Sequence, residues 1–372
     1  MDEPTGNGVS RRDLLKRAAL GALALSVAPT IFIPRREQVY AAAEEVHPNI
    51  SPLRVVGVRD AGMVKGTSTN TGWDVHDPLV VAEAVNDNVD RMAMALAQEK
   101  SAADAWKKIL LKPAAKSWGD VVVAIKTNQI AEQRTRSAVM AKVCHVLTDQ
   151  MGVKGANIFI YDACHGDSMK GNPWKGLPQG VTMAGKWGGS NLDTSVTGPN
   201  GPVRTQCLGP LVKGEVDILV NIALCKGHSA EFGGFTMCMK NHFGTFNPGP
   251  GHARGSGGAN YVIAINRAPE VLGRLDPISG KVLFPRNQLC IVDGLWIEQA
   301  GPGGLPSNQA NMLLMGTFAP AMDYVGALRV RRDMMGWRVN EQVLAQVSKE
   351  FGFSDADLPN KGEIIDALAA SA

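Results

Sequence analysis

Four short apolar runs in this 372-residue chain end in side chains suited to acid–base or anion chemistry. Val121–Ile125 is followed by Lys126 and Asn128, and Ile158–Tyr161 by Asp162, Cys164 and His165. Val216–Leu224 is followed by Cys225, Lys226 and His228, and Leu289–Val292 by Asp293. Downstream of His228, Lys240, Asn241 and His242 stand side by side just before a glycine-rich stretch from Gly249 to Gly258. Three ammonium groups in one cleft would attract a carboxylate or phosphate, each close pair being worth up to ~4 kcal/mol gross near a surface. Their mutual repulsion favours a neutral amine able to act as a base or Schiff-base nucleophile. His165, His228 and His242 with Asp162 offer the alternative of a divalent metal held by imidazole and carboxylate.

Each of these residues also has a plainer reading. A strand-end lysine is ordinarily solvated or ion-paired. Asp162 and Asp293 would serve equally well as caps of following helices, and Asp323 falls at an expected helix start, where the dipole alone accounts for it. Cys164 beside His165 suggests a thiolate nucleophile, although adjacent side chains diverge. His145 and the Arg329–Arg332 group read as exposed helix surface. The glycine-rich loop is neither a dinucleotide fingerprint nor a Walker motif; it reads as a flap over a ligand or as an ordinary loop. The six cysteines include no C-x-x-C, so no ferredoxin-type iron–sulfur motif is written here. One disulfide is compatible with the even count.

The blocks Ile125-Lys-Thr-Asn128, Ile222-Ala-Leu-Cys-Lys226-Gly-His228, Met239-Lys-Asn-His-Phe-Gly244 and Ile291-Val-Asp-Gly294 resemble, in order, those of domain-of-unknown-function family 362. Gly301-Pro302 and the segment Pro320–Asp323 extend the resemblance, which covers roughly residues 50–335. It singles out Lys226 and Lys240 but implies no particular reaction. Some members carry ferredoxin-type cysteine clusters, which this chain lacks.

The elements that must position these groups follow from pattern. Apolar runs of four to eight residues read as buried parallel strands covered on both faces. The fold class is therefore α/β, a mostly parallel sheet with helices on both faces and Gly/Pro-rich insertions. Further strands are expected at Leu53–Val58 and Met312–Met315. Asp77-Pro78 reads as a helix start, with Val81, Val85, Val89, Met92 and Leu96 at helical spacing. A second helix is expected from Ser101 to Leu111. A third, bearing Val139, Val143, Val146 and Leu147, is expected between the first two central strands. Residues 168–212 are too long for a plain loop and suggest an inserted subdomain. The tail from about Ala321 reads as helical, with Ser354 as a cap and Ile364, Ile365 and Leu368 as an apolar face. In open α/β sheets ligands bind beyond the carboxyl ends of the strands, which is where the candidate groups fall. The expected catalytic groups are Lys226, His228, Lys240, Asp162 and Asp293, with Lys126, Asn128 and Asn241 binding substrate.

Ser10-Arg11-Arg12-Asp13-Leu14-Leu15-Lys16, a weakly apolar stretch and Ala41–Ala43 read as a twin-arginine export signal over residues 1–43. The expected partner is the twin-arginine translocase and the destination the periplasm, with residues 44–372 as one large α/β domain. Cleavage would leave 32 basic against 31 acidic residues. The whole-chain charge of +3 and the absence of like-charge runs argue against nucleic acid. No run of about 18 apolar residues predicts a membrane span. The reading that results is an exported enzyme acting on a small anionic substrate. The alternative is a periplasmic binding protein for an anion, a metal or a redox cofactor.

Overall fold

Alternation along the central strands divides the core in two. Ala124, Tyr161, Leu219, Ala223 and Val292 face one apolar layer, while Val123, Ile125, Ile160, Val220, Ile222 and Ile291 face the other. Successive side chains point to opposite faces of a strand, so runs with no polar alternation require cover on both sides. The computed structural model describes residues 46–130, 132–162, 173–184, 191–254 and 257–370, all within one compact unit, 40–372. The segment expected to be an export signal, Cys164 and His165 lie outside the described residues.

The main sheet has eight strands: β1 (Val56–Arg59), β2 (Val123–Lys126), β3 (Ile158–Tyr161), β4 (Thr182–Ala184), β5 (Ile218–Leu224), β6 (Asn287–Ile297), β7 (Asn308–Gly316) and β8 (Ile365–Asp366). Their spatial order is β8-β1-β7-β6-β5-β2-β3-β4. All pairings are parallel except the two made by β7, so β7 alone runs against the rest. Helices α1 (Ala82–Ala97), α2 (Ala102–Ile109) and α3 (Ser137–His145) cover one face. Helices α4 (Ala259–Arg267), α5 (Ala319–Val325) and α6 (Glu341–Glu350) cover the other. On α1, Val85, Val89, Met92 and Leu96 are buried at the expected spacing.

Two expectations are corrected. Asp77-Pro78 opens only a 3₁₀ turn, Asp77–Leu79, and α1 begins at Ala82. The Asp77 carboxylate instead accepts hydrogen bonds from the Ser137 amide (2.6 Å) and hydroxyl (2.7 Å), thereby capping α3. The tail is not helical throughout. Ser354 caps a 3₁₀ turn through a capping box, and Ile365 joins β8 at the sheet edge. Part of the expected insertion forms an antiparallel ribbon, Asn191–Gly198 with Gly201–Leu208, and part supplies β4 to the main sheet.

Candidate functional site

The chain leaves β2 toward β3 on one side, yet the neighbour of β2 on its other side is β5. This reversal is the topological switch point, where the loops diverge and open sheets bind ligands. Lys126 is the last residue of β2 and Lys226 lies just beyond β5. The Lys226 Nζ donates to Asn128 Oδ1 across that gap at 2.7 Å. Lys126 Nζ donates to Asn241 Oδ1 (3.2 Å), and Asn128 Nδ2 donates to the same oxygen (3.2 Å). Residues separated by more than a hundred positions thus meet in one buried polar cluster. Lys226 is 0 % exposed and Lys126 1 %.

The directions of the lysine, asparagine and histidine bonds in this cluster are fixed by its ends. A lysine only donates and a backbone carbonyl only accepts. Asn241 Nδ2 donates to the Ile222 carbonyl (3.2 Å) and to Asn221 Oδ1 (2.8 Å), so its Oδ1 must face the lysine. Asn221 Nδ2 donates to the Cys238 carbonyl (2.9 Å) and to His242 Nε2 (3.1 Å). His242 Nε2 is therefore an acceptor, and its proton lies on Nδ1, toward Thr245 Oγ1 at 3.0 Å. Thr245 shares a further bond with the Tyr161 hydroxyl (2.8 Å). Burial, and then the Lys126 charge, push the His242 imidazole down to about 3, so it is neutral. Both of its ring nitrogens are engaged, which leaves none for the metal that the sequence allowed. Among the described residues no group of three or more His, Cys, Asp or Glu side chains is placed to hold a metal ion.

Asp162 faces Lys126 in the same cluster. Its Oδ1 lies 3.3 Å from Lys126 Nζ, and its Oδ2 accepts from the Gln129 amide at 2.8 Å. Lys126 also donates to the Thr127 carbonyl. Gly244 is required here: a Cβ at that position would collide with the Asp162 carboxylate and the Lys126 side chain.

Lys240 occupies a different setting at the mouth of this region. Its ammonium lies 4.0 Å from the Phe243 ring centroid and 4.5 Å from that of Phe232, a cation–π arrangement. His228 is half-buried and is pushed down to about 3 by burial, then by Lys240, His252 and Lys226. Its Nδ1 meets Ser229 Oγ at 3.0 Å. His252, within the glycine-rich loop, stands over the same rings and was not singled out by sequence; a histidine inside an otherwise glycine-dominated segment was the available signal.

One expected member, Asp293, lies elsewhere. Asp293 follows the alternation of β6 onto the opposite face, where Oδ2 accepts from the Arg136 amide at 2.7 Å and helps hold the start of α3. The Arg136 guanidinium, 1 % exposed and 3.8 Å from that oxygen, packs over the Trp296 ring. Asp323 accepts from the Cys238 and Met239 amides at 2.6 and 3.0 Å, so it anchors the turn Cys238–Asn241 that carries Lys240 and Asn241. The described cysteines, Cys144, Cys207, Cys225, Cys238 and Cys290, are buried thiols. His145 is exposed as expected and pairs with Asp149. Among the described residues no helix is long and apolar enough to cross a membrane. No curated protein and no solved structure gives a significant match to the chain. Residues 123–328, which are 206 of the 372 and carry the whole lysine–asparagine cluster, match the family model described as domain of unknown function (DUF362), and the chain belongs to that family.

Proposed function

We propose that this protein is an exported enzyme acting on a small anionic substrate in the cleft at the carboxyl ends of β2 and β5. The observation that carries the reading is the 2.7 Å bond between Lys226 and Asn128 across the switch point, tied through Asn241 to Lys126. Burying ammonium groups is costly unless they are paired and hydrogen-bonded. Here Asp162 stands 3.3 Å from Lys126, Lys226 donates to the Asn128 amide oxygen, and Lys240 lies over two phenyl rings. A set of cations held in this way stabilises an anion that enters among them, and more so if negative charge builds up during reaction. The oriented amides supply rigidity, because no member can flip without setting donor against donor. His228, half-exposed and pushed down to about 3, would serve as a general base once an entering anion offsets the lysine charges that lower it. The paired arginines and Ala-x-Ala near the N-terminus support delivery to the periplasm by the twin-arginine translocase.

The decisive experiment purifies the protein after native export. Small-molecule mass spectrometry and elemental analysis then identify what it retains, and turnover of that compound is assayed. Lys226→Ala is expected to abolish turnover while circular dichroism and the unfolding midpoint show a folded protein. Full activity in folded Lys226→Ala would overturn the reading. Stoichiometric retention with no turnover would convert it to a periplasmic binding protein for the same anion.

A further inference from the structure

Sequence pattern puts Arg331 in a group, Arg329 to Arg332, that reads as exposed helix surface, and the structure separates its members. Arg329 and Arg332 are partly exposed and share Asp333, at 2.8 and 2.7 Å. Arg331, between them in sequence, is 1 % exposed. It belongs to a π-helical stretch, Gly326–Met334, that continues α5. Such turns are rare and recur at functional sites. The Arg331 guanidinium donates to the carbonyls of Glu298 (3.0 Å) and Gln299 (3.1 Å), and it lies 4.7 Å from the Trp337 ring centroid. The Glu298 carboxylate is engaged elsewhere, accepting from the Ala300 and Ser307 amides at 2.8 Å each. Among the described residues Arg331 forms no ion pair.

The segment that Arg331 grips is paired with the one that carries Lys226. The Glu298 amide donates to the Cys225 carbonyl and the Gly227 amide donates to the Ala300 carbonyl, both at 3.1 Å. These two bonds bracket Lys226 along the chain. The approach is close: a Cβ on Gly227 would collide with the Gln299 carbonyl, the same group that accepts from Arg331. From this held backbone the Lys226 side chain reaches Asn128 Oδ1 at 2.7 Å. A planar guanidinium fork fixes the direction of two carbonyls at once, which the point charge of a lysine does not. A buried cation without a carboxylate beside it costs stability, and an apolar side chain would fill the space without that cost. Stability alone therefore gives no reason for a guanidinium here.

We propose that Arg331 is the positioning residue for Lys226. By fixing the carbonyls of Glu298 and Gln299 it holds the backbone on both sides of Lys226, and so sets where that ammonium meets an anion at the switch point. The proposal rests on the anion-cleft reading and adds to it a residue beyond the family match at 123–328. Arg331 acts on the ligand only through Lys226.

The test compares the full chain with Arg331→Met, Lys226→Ala and the double variant. Arg331→Lys, which keeps the charge without the fork, takes the place of Arg331→Met if that variant does not fold. Proton–nitrogen spectra of the lysine ammonium groups read Lys226 directly, its signal being the one absent from Lys226→Ala. Arg331→Met should shift or broaden that signal while leaving in place the signal of Lys142, which pairs with Asp90 at 2.6 Å on the opposite face of the sheet. Calorimetric titration with inorganic phosphate and with acetate reads the cleft. Arg331→Met should bind about tenfold more weakly than wild type, and the double variant no more weakly than Lys226→Ala, because a residue acting through Lys226 then has nothing to act on. An unmoved Lys226 signal in the folded Arg331 variant, or losses that multiply in the double variant, would overturn the positioning role. A wild type that binds neither anion, with a Lys226 signal that still responds to Arg331, would remove the cleft reading and leave the positioning of Lys226 standing.

Discussion

The two ends of the main sheet differ in kind. At the amino ends lies an open groove of about 1020 Å³, bordered by Asp217, Glu270, Arg274 and Arg286 just before β5 and β6. Its charges are dealt with one by one. Lys116 pairs with Asp217 at 2.7 Å, and the Arg286 guanidinium donates to the carbonyls of Val216, Pro269 and Glu270. At the carboxyl ends, by contrast, Lys126, Lys226, Asn221, Asn241 and His242 are buried in one continuous network. An open groove thus marks one end and a buried polar network the other. Folding has no reason to bury ammonium groups when apolar residues of equal size pack as well or better, so the carboxyl end is where a selective reason other than stability must be sought.

The contrast breaks most directly at the Lys126–Asp162 pair. Asp162→Asn removes the carboxylate charge and leaves a fully buried ammonium facing a neutral amide. Breaking a buried pair from one side typically costs ~3–5 kcal/mol, and the urea midpoint of this variant is expected to fall accordingly. Loss of less than about 1 kcal/mol would mean that the carboxyl end tolerates charge as a surface does, and the distinction between the two ends would disappear.

A second measurement sharpens the comparison through pH. Burial pushes the Asp323 carboxyl up to about 8 against the opposing pull of the Met239 and Cys238 amides. An unfolded aspartate titrates near ~3.9. The folded protein therefore keeps a proton that the unfolded chain releases, so this group's contribution is complete below about pH 4 and is lost as pH rises toward about 8. His242 acts in the opposite sense. Held down to about 3, it contributes stability above about pH 6.5 that is lost as pH falls toward about 3. Between about pH 6.5 and 8 only the Asp323 slope remains of the two. Unfolding free energy should fall across that interval in wild type and fall less steeply in Asp323→Asn. The variant loses one acceptor for a backbone amide, which costs ~1–3 kcal/mol at pH 5. An identical slope in the two proteins would show that Asp323 keeps an ordinary carboxylate titration and that the turn carrying Lys240 is anchored without strain from burial.

Much of this arrangement was legible from residue types alone, and the reason is specific. Strands buried on both faces cannot alternate, so β2, β3, β5 and β6 stand out as uninterrupted apolar runs whose ends are easy to mark. Marking the ends found Lys126, Asn128, Asp162 and Lys226. The block Lys240–His242 stood out by composition. What escaped was whatever depends on strand order or on which face a side chain takes. Asp293 was grouped with the lysines because it follows β6, but one residue of register turns it to the α3 side. Asn221 went unnoticed although a lone amide inside Val216–Leu224 was a visible sign, because a buried polar group must have partners. His252 belongs with His228 only after α4 and the turn Gly249–His252 are docked, and no local pattern encodes that contact. The tail misled for a simpler reason. Ile365 has the apolarity of a helix face, but a two-residue edge strand beside Val56 and Gly57 uses it equally well, while Leu368 falls in the short helix Ala367–Ala370.

The smallest expected effect tests the amino end itself. Lys116 and Asp217 form a short bond, and distance alone would rank them with Lys126 and Asp162. Solvent separates the two cases. The Lys116 side chain is 36 % exposed, so its charge is never stripped of water, and holding the long side chain in place offsets part of the attraction. Asp217 has a second role, because the same oxygen accepts from the Val122 amide at 2.9 Å and steadies the entry to β2. Lys116→Ala should therefore cost no more than ~1 kcal/mol and become indistinguishable from wild type at high salt. A loss comparable to that of Asp162→Asn, measured in the same urea titration, would mean that exposure does not decide the value of these pairs. The carboxyl-end network would then no longer be exceptional on energetic grounds.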